Sequence, residues 1–421
     1  MSWTKRSGVG LLVVVLSGFV TLAALSLGGE LTLRYRERHR TSAPGTMPLL
    51  FYQHRRLGHA LVRSYDYFGW VHVDSQGFRG SEVAEAKKPG VTRIMAVGAS
   101  TTFDSFVSGD NKTWPARLAF WLDRLAPEQP TEVINAGVPG YRVIDHIIRL
   151  QTELYRFKPD VVILYETHND LFGTLRRAAL ARENGRGGPP DPTPGEMPVV
   201  SPWEHWLSRR SMLYSKVWLR WKALSLGREG KRLNPTGAAS VPDVLLEQGL
   251  DQFERDLTSF LLMARGMGIR VVVPEIVQVS GVGTLVETDP AIRSVWARGV
   301  PLVSVSTVLS AYHRYGERIR AVTGRLGVAF IPTAEFRLRG LEWYVEDDPI
   351  HFNDRGADRM GEAMARALLG ADVLASAGGQ TDGPSPSVLA AGHGLGTGCP
   401  EGAVDGTPHR PRHQFLSEVA R

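Results

Sequence analysis

Residues 93–102 read Arg93-Ile94-Met95-Ala96-Val97-Gly98-Ala99-Ser100-Thr101-Thr102. A short apolar run closed by glycine and followed by small hydroxyl residues predicts a buried strand that turns into a helix. The same alternation recurs along the chain. Thr131–Ile134, Asp160–Tyr165, Ile269–Pro274 and Val328–Ile331 are further apolar runs. Between them lie Thr113–Leu125, Val143–Phe157, Asp251–Met267 and Ser306–Gly324, with apolar residues at helical spacing, and Asp354–Leu369 follows the last run. Five strand runs alternating with helices predict an α/β domain with a parallel sheet and helices on both faces. In such sheets the chemistry collects at the carboxyl ends of the strands.

Four of those strand ends carry reactive residues. Gly98-Ala99-Ser100-Thr101-Thr102 follows the first run, Asn135-Ala136-Gly137-Val138-Pro139-Gly140-Tyr141 the second, and Glu166-Thr167-His168-Asn169-Asp170 the third. Asp348-Pro349-Ile350-His351 lies downstream of the fifth. Taken singly, each has an ordinary structural reading as a helix cap or a turn. Together they have the parts needed for acyl transfer. A serine hydroxyl (Ser100) needs a base, which His351 supplies, and a carboxylate (Asp348) orients the imidazole and stabilises its cation. Backbone N–H groups of Ser100 and Gly140 and the side-chain amide of Asn169 would form an oxyanion hole. His168, beside Asn169, is a possible substrate contact, weighed against a packing or surface role. The turn is not a nucleophile elbow, because Thr102 stands where G-x-S-x-G requires glycine.

These blocks resemble the SGNH (GDSL-type) hydrolases. Ser100, Gly140, Asn169 and Asp348-x-x-His351 occur in that family's order, and the resemblance spans about Gly77 to Leu369. Gly77-Phe78-Arg79-Gly80 matches a lead-in often seen in membrane-attached bacterial members. The resemblance implies a flavodoxin-like three-layer α/β/α fold and a Ser100–His351–Asp348 triad. It also implies action without cofactor or metal on acyl, notably acetyl, esters of envelope carbohydrate or lipid, by a domain outside the cytoplasm. Transfer to a sugar hydroxyl by the same triad, and a non-catalytic binding or scaffold role, are the alternatives. Two positions depart from the pattern: Ala99 replaces the Asp of block one and Thr167 the Gly of block three.

The chain has 421 residues, 43% hydrophobic and 22% charged, with a single cysteine, Cys399. That excludes an intrachain disulfide and a multi-thiolate zinc site. The net charge of +6 comes from two patches. One holds Lys5, Arg6, Arg34, Arg36, Arg38 and Arg40; the other lies between Trp203 and Arg232, among Trp203, Trp206, Trp218 and Trp221. Neither is the basic face of a nucleic-acid module, and a membrane surface is the expected partner for both. From Ser7 to Gly29 there is no charged residue, which at ~1.5 Å per residue predicts a single membrane-spanning helix. A cleaved signal peptide is the rival, and Leu22-Ala23-Ala24 matches its cleavage site poorly. Two basic residues precede the segment and four follow, which taken alone favours a cytoplasmic domain; the family resemblance favours the outside. The expected organisation is an anchor and basic juxtamembrane segment (1–40), a hydrolase domain (41–370) with an insertion at 183–245, and a disordered tail (371–421).

Overall fold

The computed structural model describes residues 3–40, 50–184, 201–221, 243–279, 289–299 and 303–374, with residue 47 and without 209, 219, 339 and 372. The Pro/Gly-rich stretch ending at Pro198 and the expected tail lie almost wholly outside the described residues. Two antiparallel hairpins come first. Strand β1 (Phe51–His54) pairs with β2 (Gly58–Leu61), and β3 (Tyr65–Tyr67) with β4 (Val71–Val73). The main sheet is β5 (Thr92–Gly98), β6 (Thr131–Asn135), β7 (Val161–Tyr165), β8 (Arg270–Pro274) and β9 (Ala329–Ile331), ordered β6-β5-β7-β8-β9 with every pair parallel. This is the flavodoxin-like order, in which connections leave β5 and β7 toward opposite faces and open a crevice at their carboxyl ends.

Helices cover both faces. On one, α3 (Trp114–Leu125) packs along α10 (Asp354–Gly370). On the other, α4 (Val143–Thr152), α5 (His168–Asn184) and α9 (Val305–Leu326) pack around α7 (Asp243–Gly266). The central strands are apolar on both faces, as a sheet covered on both sides requires. The other labelled helices are α1 (Trp3–Arg38), α2 (Ser100–Phe103), α6 (Pro202–Ser208) and α8 (Pro290–Gly299), and residues 212–218 are also helical. Of the described helices, α1 alone is long and apolar enough to cross a membrane.

Three local details differ from the sequence expectation. The helix expected over Val143–Phe157 breaks at Glu153, and a 3₁₀ turn over Leu154–Phe157 leads to Lys158 at φ 51°. Pro159 follows and disfavours helix at the residue before it. Helix α7 begins at Asp243 rather than Asp251, and carries Gly249 where it crosses α5; a Cβ there would overlap the Thr174 side chain. Residues His168-Asn169-Asp170, expected as a strand end with a cap or turn as the ordinary reading, form the first turn of α5.

A second apolar cluster joins the hairpins to the main domain. Leu57, Leu61, Tyr67 and Val73 pack with Phe103, Val138 and Tyr141. Gly137 lies where the loop after β6 crosses α2, and a Cβ there would overlap the backbone of Thr102 and Phe103. Gly137→Ala is therefore expected to destabilise the protein by ~1–3 kcal/mol through overpacking. Gly324→Ala, on α9 with open space around it, should be neutral or stabilise by up to ~1 kcal/mol. Urea unfolding of the two variants beside wild type checks this, and equal effects would contradict it.

Candidate active site

The site begins at the turn from β5 into α2. A Cβ at Gly98 would overlap the Thr102 side chain and the Tyr165 carbonyl, so only glycine lets the chain turn this tightly. Ser100 is the first residue of α2, and Asp104 closes the helix in the left-handed conformation at φ 65°. The buried Arg79 guanidinium donates to the Phe103 and Asp104 carbonyls, each at 2.7 Å, and to Asp110 at 2.8 Å. A cation on the last carbonyls of a helix is favourable and fixes the short helix in place. The Asp104 carboxylate accepts the Trp114 amide at 2.7 Å. Burial pushes its pKa up, against the hydrogen bond and the nearby Arg79 charge.

The Ser100 hydroxyl lies 2.9 Å from His351 Nε2, and His351 Nδ1 lies 2.6 Å from an Asp348 oxygen. The other Asp348 oxygen accepts the amides of Ile350 and His351 at 2.9 and 3.0 Å. A carboxylate so placed accepts a hydrogen bond from Nδ1–H and leaves Nε2 free to accept from the serine, a tautomer assigned from these distances. Asp348 and His351 are both buried. The Phe106 ring, 4.9 Å from the imidazole, covers its flank. The loop is closed by the Val345 amide on the His351 carbonyl at 3.0 Å.

The other two strand ends are fastened to the first. The Val138 amide donates to the Gly98 carbonyl at 2.9 Å, and the Asn169 side-chain amide donates to the Tyr141 carbonyl at 2.7 Å. Gly140 lies between those two bonds at φ +85°, a conformation that favours glycine. An Asn amide has two N–H groups, so one remains beyond the bond to Tyr141. His59 of β2 braces the loop from outside: its ring is 2.8 Å from the Pro139 carbonyl, and its own carbonyl accepts Tyr141 O–H at 2.6 Å. The structure thus gathers the ends of β5, β6 and β7 and the Asp348–His351 loop.

His168 is buried, with Nδ1 2.7 Å from the Tyr312 hydroxyl and Nε2 without a protein partner. Burial, with a smaller contribution from the neighbouring His351, pushes its pKa down to about 3. Beside it, Glu166 at the end of β7 lies 3.5 Å from His146 of α4, both fully buried. Burial raises the Glu166 pKa, helped by Asp170, and burial lowers that of His146 to about 3. Thr167, at the family's glycine position, is buried and turns its hydroxyl to the Glu166 carbonyl.

Sequence reasoning gave no role to His59, Glu166 or Tyr312 and quoted Arg79 only as part of a motif. Arg79 carried a signal, a lone arginine between glycines just upstream of β5. His59 and Tyr312 carried none, because their partners are distant in the chain. Among the described residues, no group of three His, Cys, Asp or Glu side chains could hold a metal ion.

Fold and site define a flavodoxin-like α/β protein with a Ser–His–Asp constellation at its strand ends. The chain belongs to the GDSL-like Lipase/Acylhydrolase family, whose model matches residues 96–359. No curated protein matches it in sequence. Similar solved structures include an acetylxylan esterase from Geobacillus stearothermophilus, with 14% identity over 65% of this chain and 92% of that one and a TM-score of 0.36. Another is an α/β hydrolase from the metagenome of Lake Arreo, Spain, with 14% identity over 68% and 97% and a TM-score of 0.38.

Because the folded state refuses a proton at His168, the stability from its neutral ring is full above its unfolded pKa of ~6.5. That stability is lost as pH falls toward the folded value of about 3. His168→Gln should reduce the slope of unfolding free energy against pH by up to ~1.4 kcal/mol per unit between about pH 6 and pH 4. Denaturant melts across that range measure it, and an unchanged slope would contradict a neutral buried His168.

Proposed function

We propose that this chain is a serine esterase in which Ser100 is the nucleophile, His351 the general base and acid, and Asp348 the residue that orients it. The observation that carries this reading is the unbroken line Ser100 Oγ–His351 Nε2, 2.9 Å, and His351 Nδ1–Asp348, 2.6 Å. The Ser100 oxygen attacks the ester carbonyl while Nε2 takes its proton. The Ser100 and Gly140 amides and the Asn169 side chain stabilise the oxyanion. Collapse breaks the ester bond, and His351 returns the proton to the departing alcohol. Water, deprotonated by the same ring, then releases the acid and restores the serine. A neutral His168 adds no positive charge to oppose the imidazolium formed at each step.

The substrates we propose are acyl esters, notably acetyl esters, on carbohydrate or lipid of a cell envelope. In this reading α1 spans the membrane as a single pass and holds the catalytic domain on the extracytoplasmic side. Support comes from the apolar length of α1 and from its junction with the domain: Glu37 near its end accepts Tyr67 O–H at 2.9 Å.

The test is labelling of the detergent-solubilised full chain with a fluorophosphonate, beside p-nitrophenyl acetate hydrolysis. Wild type should label and Ser100→Ala should not, with hydrolysis falling by ~10³-fold or more. Asn169→Ala should lower kcat by ~10²-fold while labelling persists. A folded wild-type chain that neither labels nor hydrolyses the ester would refute the esterase reading.

A further inference from the structure

The stretch from Ser201 to Trp221 has no part in the chemistry above, yet it is built in an unusual way. Trp203, Trp206 and Trp221 are 61%, 55% and 62% exposed, and Val217 is 59% exposed. The segment is nevertheless folded onto the protein. Met212 and Trp218 are buried, and Trp218 Nε1 donates to Glu204 at 3.0 Å. Glu204 in turn accepts the amide and hydroxyl of Ser201 at 2.8 and 2.7 Å. Three large indoles left facing out from an ordered element mark a surface meant for contact.

What holds this segment is the last part of α1. The Glu30 carboxylate accepts the amides of Met212 and Leu213, each at 2.8 Å, and the Ser211 hydroxyl at 3.0 Å. It thereby caps the helical residues 212–218. Arg34 donates to the Arg210 carbonyl at 2.9 Å, and Lys216 pairs with Glu37 at 2.7 Å. The Arg210 guanidinium also lies over the Trp206 ring at 4.2 Å.

We infer that Trp203, Trp206 and Trp221 form an interfacial platform that enters the head-group zone of an anionic bilayer beside the point where α1 leaves it. The inference rests on the reading of α1 as a membrane span. Its uncharged run ends at Gly29, one residue before the Glu30 clamp. At ~1.5 Å per residue, Glu30 and Arg34 then stand within roughly 10 Å of the hydrocarbon boundary, the depth of the head groups. Indole is the side chain suited to that layer, apolar in body with one N–H to hydrate. The same stretch carries Arg210 and Arg220, both exposed, which complement anionic lipid. Continuity with α1 and this charge select a bilayer as the occupant.

The test uses the full chain reconstituted in vesicles of phosphatidylcholine and phosphatidylglycerol, with lipids brominated just below the head group as quenchers. The variant is Trp203→Phe, Trp206→Phe and Trp221→Phe together, which keeps an aromatic ring at each position and removes the indole emission. Unchanged ester hydrolysis confirms its fold. Wild type should float with the vesicles and lose more emission than the variant, by an amount up to three of the ten tryptophans. The excess should shrink in pure phosphatidylcholine. Flotation of both with the same absolute loss would overturn the platform and leave the anchor standing. An excess of equal size in neutral vesicles would overturn the anionic preference. Failure of wild type to float would overturn the anchor and the platform together.

Discussion

The Gly98 carbonyl accepts the Val138 amide at 2.9 Å, and this bond carries the end of β5 across to the loop after β6. It can form only because two glycines leave the space. Gly98 turns against Thr102 and Tyr165, and Gly137 lies on the backbone of Thr102 and Phe103. Ser100 sits between these two close approaches, so its direction is set by backbone packing rather than by its own side chain. Arg79 then fixes the far end of α2 through the Phe103 and Asp104 carbonyls. A four-residue helix has too few internal hydrogen bonds to hold itself, and this external clamp replaces them.

Around that turn the protein buries a high density of ionisable groups. Asp104, Asp145, Glu166 and Asp170 have carboxyls pushed up by burial, Asp170 to about 7, while His59, His146 and His168 are pushed down. The two sets act in opposite directions on stability as pH changes. The folded carboxyls keep protons that the unfolded chain gives up, so they favour the fold at low pH and cease to as pH rises. The histidines refuse protons that the unfolded chain takes, so they favour the fold at high pH.

The sheet and the four strand-end blocks were legible in the sequence because each rests on short-range pattern. Apolar runs such as Asp160–Tyr165 mark strands buried on both faces. The Asp348-x-x-His351 spacing lets one carboxylate reach both the imidazole and the amides of its own loop. Illegible were the contacts that close the site from afar. His59 meets Pro139 across eighty residues of chain, and Tyr312 meets His168 across a still longer separation. Neither leaves a local trace. The two hairpins over residues 51–73 show no readable pattern in the sequence, because their strands of three or four residues are too short for alternation to show.

The length of α1 bears on which esters a site of this kind can meet. Its 36 residues make a rod of roughly 54 Å, of which the hydrocarbon core takes ~30 Å. On the anchor reading, the rest leaves the membrane, and it does so gripped: Glu30, Arg34 and Glu37 are all bonded to the segment over residues 210–216, and Glu37 also to Tyr67. The domain is thus held at a set height, where a free linker would let it roam. A globule of this size is ~50 Å across, so on that reading the Ser100 hydroxyl works within about that distance of the bilayer surface. An ester sunk among the acyl chains lies below that layer, and one far out on a long glycan lies above it. On the proposed reading, the esters within reach are those carried between the head groups and about one domain's width above them.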